Sequence, residues 1–101
     1  MKLVRDLIPA IILESGKKCQ WRKVHGRDEH MALLKLKMIE ELNEFMETPN
    51  YEEACDMYEV FCEILKLRKL QLDQVVDTAS RKRFLRGGFT NGVVLEGVDE
   101  G

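Results

Sequence analysis

Apolar residues recur along this chain at spacings of three and four, over long stretches that hold no glycine or proline, and that rhythm predicts helices. The first opens at Asp6 as N-cap, accepts Pro9 in its first turn, sets Ile8, Ile11 and Ile12 on one side and stops at Ser15-Gly16. Lys17 to Val24 alternates loosely between apolar and polar types, which reads as an extended connector or an edge strand. A second helix is expected from Asp28, its N-cap, to Glu47, where Thr48-Pro49-Asn50 ends it; Met31, Leu34, Met38, Leu42 and Phe45 form its buried stripe. The third begins near Tyr51, capped by Asn50, with Glu52 and Glu53 at the positive end of its macrodipole. Ala54, Met57, Tyr58, Phe61, Ile64 and Leu65 make its stripe, and Val60, Cys62 and Leu67 widen it until the helix needs cover on more than one side. A break near Leu70, with neither Gly nor Pro to mark it, leads to a fourth helix from about Leu72 to Leu85, and Asn91-Gly92 signals a later turn.

Two long helices joined by a short turn make an antiparallel hairpin. The expected fold is therefore all-α, a helical bundle around a central antiparallel helix hairpin, completed by dimerisation. With 101 residues the chain reads as a single domain spanning 1–101. A net charge of −2 removes the bulk electrostatic case for a nucleic-acid polymer as partner. The longest apolar run falls far short of the ~20 residues that span a bilayer, and Arg5 and Asp6 stand where a secretory signal would be apolar, so a cytoplasmic protein is expected. Cys19, Cys55 and Cys62 are odd in number and lack a CxxC pair, which suggests reduced thiols rather than a disulfide framework or a zinc knuckle.

Acidic residues carry the chemistry. Glu40, Glu41 and Glu44 share an arc of about 100° on the second helix, and Glu52, Glu53, Asp56, Glu59 and Glu63 share one of roughly 120° on the third. In a hairpin the end of one helix lies beside the start of the next, so Glu41 and Glu44 approach Glu53 and Asp56. Carboxylates gathered in this way repel unless a cation screens them, and magnesium or manganese suits oxygen ligands presented at i, i+3 on two facing helices. The alternative is a solvated helix face paired with lysines. Against it, Glu40 faces Glu44, Glu52 faces Asp56 and Glu59 faces Glu63 at i, i+4, like-charge pairs that weaken a plain surface helix.

Glu40-Glu41-x-x-Glu44 followed by Glu53-x-x-Asp56 resembles the EExxE and ExxD motifs of the all-alpha nucleoside triphosphate pyrophosphohydrolases, the superfamily that includes MazG and phosphoribosyl-ATP pyrophosphohydrolase. KLVRDLIPAII at residues 2–12, EELNEF at 40–45, EEACDMYEV at 52–60 and RGGF at 86–89 extend the likeness to the small house-cleaning subgroup that acts on noncanonical nucleotides. The resemblance implies magnesium-dependent hydrolysis between the α and β phosphates of a nucleoside triphosphate, giving a monophosphate and pyrophosphate, by a homodimer or homotetramer. Carried over by position, Glu41, Glu44, Glu53 and Asp56 are the implied metal ligands, and Glu40 orients or deprotonates the attacking water or helps hold a second metal. Because a single-domain likeness leaves the substrate open, a signalling or phosphoribosyl nucleotide is an alternative, and a non-catalytic acidic module that docks a basic partner is another.

Phosphates also need positive charge. Arg81, Lys82, Arg83 and Arg86 precede Gly87-Gly88, where backbone can come close to a phosphate tail, although the same cations also complement a helix C-terminus. Lys2 and Arg5 are a second candidate set because the resemblance includes them; Arg5 and Asp6 equally read as a salt bridge and an N-cap. His25 and His30 lack the spacing of a metal pair, and Trp21 reads as cover for an open core edge.

Overall fold

The computed structural model describes residues 1–100 and is all-helical, with α1 (Ile8–Glu14), α2 (Arg27–Glu47), α3 (Tyr51–Leu67) and α4 (Leu72–Arg86) and no strand among the described residues. It divides into two compact units, Met1–Leu70 with α1 to α3, and a second, from Gln71 onward, with α4. No described helix is long and apolar enough to cross a membrane.

In the first unit both expected aspartate caps are replaced by other devices. Leu7, not Asp6, is the N-cap of α1, and the Ile8 N–H donates to the Arg5 carbonyl, so the chain turns once more before the helix starts. Gly26 is the N-cap of α2 at φ 151°, a conformation that a Cβ opposes, and this moves Asp28 into the first turn. No described side chain caps the free N–H groups of α2; Glu29 instead reaches back over the helix start, its Oε1 accepting the His25 N–H at 2.7 Å while Arg22 grips both of its oxygens at 2.9 and 2.8 Å. That fork holds the Glu29 carboxyl down at about 2. Lys17–Val24 forms no strand. It is an irregular connector whose Trp21 is exposed rather than laid over the core.

The connection Thr48-Pro49-Asn50 folds α2 back on α3, and these two helices make the principal packing contact of the unit. Asn50 is the cap expected, its side-chain oxygen accepting the Glu53 N–H at 2.8 Å. Helix α3 ends in a Schellman motif: the Leu70 N–H reaches the Leu65 carbonyl at 2.9 Å, the Lys69 N–H reaches that of Lys66 at 3.1 Å, and Lys69 sits at φ 60° where glycine is usual. The core is thin. Leu34 and Leu65 are the buried hydrophobics among the described residues, whereas Leu36, Ile39, Leu42 and Met46 of α2 and Tyr51, Tyr58 and Phe61 of α3 are exposed.

In the second unit, Gly87 closes α4 at φ 80° with its N–H on the Arg83 carbonyl. The Asn91-Gly92 signal is realised as a turn in which the Gly92 N–H meets the Phe89 carbonyl at 3.3 Å.

Candidate metal centre

Two helical stripes face one another across the hairpin. On α2, His30, Leu34, Lys37 and Glu41 follow steps of four, three and four; on α3, Glu53, Asp56, Val60 and Glu63 follow steps of three, four and three. Where Glu41 meets Glu53 and Asp56, one carboxylate oxygen from each lies within 4.8 Å of the other two. The Asn50 cap contributes directly, because it fixes the backbone of Glu53 at the third helical position and so sets the phase of the i, i+3 pair.

Burial distinguishes this trio from a surface cluster. Glu41 is only 5% exposed, and Glu41 Oε2 and Glu53 Oε2 are buried without any hydrogen-bond partner. Desolvation is the main cause that raises the Glu41 pKa, opposed by a hydrogen bond from Lys37. Lys37 Nζ stands 3.2 Å from Glu41 Oε1 and 3.5 Å from Glu40 Oε2. Glu40 also receives Lys2 at 2.9 Å, and that hydrogen bond leads the causes that lower its pKa. Arg5 Nη2 lies 2.7 Å from Asp56 Oδ1.

Of the expected ligands, the structure brings together Glu41, Glu53 and Asp56, while Glu44 is exposed on α2 outside the trio. Lys2 and Arg5 are engaged with acids of the hairpin, so Arg5 is a salt-bridge residue as one of its two readings expected, with Asp56 as its partner. Arg81, Lys82, Arg83 and Arg86 occupy the last turns of α4 in the second unit, all exposed. The acidic face is compensated in part: Lys37, three and four residues before Glu40 and Glu41, pairs with both, and Lys2 and Arg5 of the N-terminal segment pair with Glu40 and Asp56.

Beside the trio opens a cleft of about 420 Å³, walled by Leu3, Val4, Leu34 and Val60 and by charged groups that include Arg5, Lys37, Asp56, Glu59 and Glu63. Lys37, His30 and Glu63 join this region without having been singled out as site residues from the sequence. Their signal was available in the spacing, since each continues a stripe that carries one of the three acids. Comparison with protein-family models, with curated proteins and with solved structures finds no match to this chain.

Proposed function

We propose that the chain is a divalent-metal-dependent nucleoside triphosphate pyrophosphohydrolase that cleaves the α–β phosphoanhydride to a nucleoside monophosphate and pyrophosphate. One observation carries the reading: the convergence of Glu41, Glu53 and Asp56 within 4.8 Å, with buried oxygens on Glu41 and Glu53 that no donor satisfies. Close carboxylates repel, and buried acceptors without donors add a desolvation cost. A hard divalent cation with oxygen ligands relieves both, so the donor set fits Mg²⁺ or Mn²⁺. When bound, such an ion lowers the pKa of the attacking water and neutralises charge developing on phosphoryl oxygens.

The remaining work falls to the chain. Glu41 anchors the centre from the buried side, and Glu53 and Asp56 present the opposite wall from consecutive turns of α3. Lys37 stands between the trio and the cleft, where its ammonium meets phosphate oxygens without leaving Glu41. The cleft has the volume of a small-molecule site, and its apolar wall of Leu3, Val4, Leu34 and Val60 receives the nucleoside. Glu40 orients the water as a hydrogen-bond acceptor, with Lys37 beside it at 3.5 Å. The exposed apolar faces of α2 and α3 are met by a second copy in a homodimer or a larger homo-oligomer.

The test is pyrophosphate release with Mg²⁺ over a panel of canonical and modified nucleoside triphosphates, comparing the native chain with Glu53→Gln. The native chain is expected to release pyrophosphate and monophosphate in equal amounts. Loss of a ligand exceeds the roughly 10- to 100-fold that outer-shell partners cost, so Glu53→Gln falls by about 100-fold or more. A native chain that neither releases pyrophosphate nor gains thermal stability from Mg²⁺ or Mn²⁺ overturns the reading and leaves the acidic hairpin as a docking module.

A further inference from the structure

We propose that the segment Met1–Asp6 is a cationic strap that takes the place of the metal ion: Lys2 and Arg5 neutralise Glu40 and Asp56 in the metal-free chain and are displaced when the ion binds. The inference rests on the metal centre proposed above. Both cations come from the stretch that precedes α1, and both reach across to the hairpin, Lys2 to Glu40 at 2.9 Å and Arg5 to Asp56 at 2.7 Å. Leu3, half-buried on the wall of the cleft, is the apolar attachment of the same segment. Besides Leu3 and a contact of Met1 Sδ with Arg22 at 3.0 Å, the strap is held by two ion pairs whose cationic side chains are more than half exposed, at 61% and 56%. Pairs of this kind contribute little net stability and are readily exchanged.

Charge bookkeeping gives the exchange its direction. Glu41, Glu53 and Asp56 form one anionic group, with Arg5 on Asp56 and Lys37 on Glu41, and Lys37 links it to Glu40, which holds Lys2. A divalent ion held by this acidic cluster repels the cations already paired with it, and Arg5 competes with the ion for Asp56. Exchanging Lys2 and Arg5 for the ion leaves its formal charge unchanged, so mutual repulsion between like charges drives them out. Lys37 stays, because its half-buried side chain serves Glu41 from the same helix. The released Arg5 guanidinium already lines the cleft and becomes available to grip phosphate oxygens in a two-pronged contact. Metal therefore loads first and prepares the cleft for the triphosphate.

The experiment titrates Mn²⁺ into the native chain, Arg5→Gln, Lys2→Gln and the charge-preserving Arg5→Lys by calorimetry, and follows ¹⁵N relaxation of residues 2–6 with and without Mg²⁺. An exposed ion pair is worth up to about fivefold in an equilibrium, so Arg5→Gln, which leaves the metal no pair to break, binds Mn²⁺ up to about fivefold more tightly, Lys2→Gln also binds more tightly and Arg5→Lys behaves as native. The segment becomes more mobile on the ps–ns timescale when Mg²⁺ is added to the native chain. Should Arg5→Gln not fold, Lys2→Gln and the relaxation data carry the test. Equal or weaker Mn²⁺ affinity in both glutamine variants, or residues 2–6 no more mobile with Mg²⁺ than without it, in a native chain that does bind, overturns the strap and leaves the metal centre standing. A native chain that binds no Mn²⁺ overturns both.

Discussion

Among the described residues Glu41 is the only polar or charged one that is buried, and it faces Glu53 and Asp56 rather than a full set of donors. Its pKa lies above the ordinary carboxylate value because burial disfavours the charged form. An acid whose folded-state pKa is raised costs stability while ionised, and the metal-free chain recovers that stability as pH falls through the raised value. Glu41→Gln removes the cost, and Lys37 keeps Glu40 as a partner. In the absence of metal the substitution is expected to stabilise by about 1 kcal/mol, in the range typical of relieved functional compromises. That raises Tm by about 4–8 °C for a domain of this size. In the same variant, the rise in Tm that Mn²⁺ gives the native chain is expected to vanish. Scanning calorimetry with and without Mn²⁺ checks both, and a Tm that falls without metal argues against a strained acid. Glu41, Glu53 and Asp56 were legible as site candidates from i, i+3 spacing across a short turn. Lys37 was not, because its role depends on the rotation of α2 that brings its ammonium to Glu40 and Glu41 beside the cleft.

Helix boundaries depend on local backbone options that residue type signals only partly. Asn50 caps α3 as its side chain suggests, because it precedes the helix directly and meets a free N–H at the third position. Asp6 and Asp28 are equally good caps by type, yet α1 starts after an additional turn and α2 starts at a glycine whose φ only glycine takes readily. The α3–α4 break shows the converse, since Lys69 adopts φ 60° where a glycine would have announced the stop. At the start of α2, the Arg22–Glu29 fork gives a pH signature. Glu29 is depressed to about 2, so the stability it contributes is fully present above its ordinary value of 4.5 and is lost as pH falls through about 2. The Tm of the native chain should exceed that of Glu29→Gln at neutral pH, and the gap should close between pH 4.5 and 2. A gap that is constant over that range would mean that the ionised Glu29 carboxylate contributes no charge-dependent stability.

At the scale of the whole molecule, the thin core leaves apolar surface that the proposed second copy would cover. The width of apolar surface on α3 was readable as a need for cover on more than one side, and Tyr51, Tyr58 and Phe61 are indeed exposed. A second stripe on α2, with Leu36, Ile39 and Met46, is exposed as well. Covering these faces by a second copy makes Tm depend on protein concentration. Sedimentation is expected to give a dimer or larger species for the native chain and a monomer with lower Tm for Leu36→Glu; a native monomer at micromolar concentration would refute the assembly. The sequence by itself determined the helical class, the hairpin and the arc on which the acids lie, because helical periodicity and a three-residue turn are local consequences of residue order. Only the tertiary structure decided that Glu41 is buried while Glu44 is exposed. It also decided that Lys2 and Arg5 close on the hairpin and that Asp56 borders a cleft. Those outcomes depend on the rotation of α2 against α3 and on contacts between residues far apart in the chain, which a one-dimensional pattern leaves free.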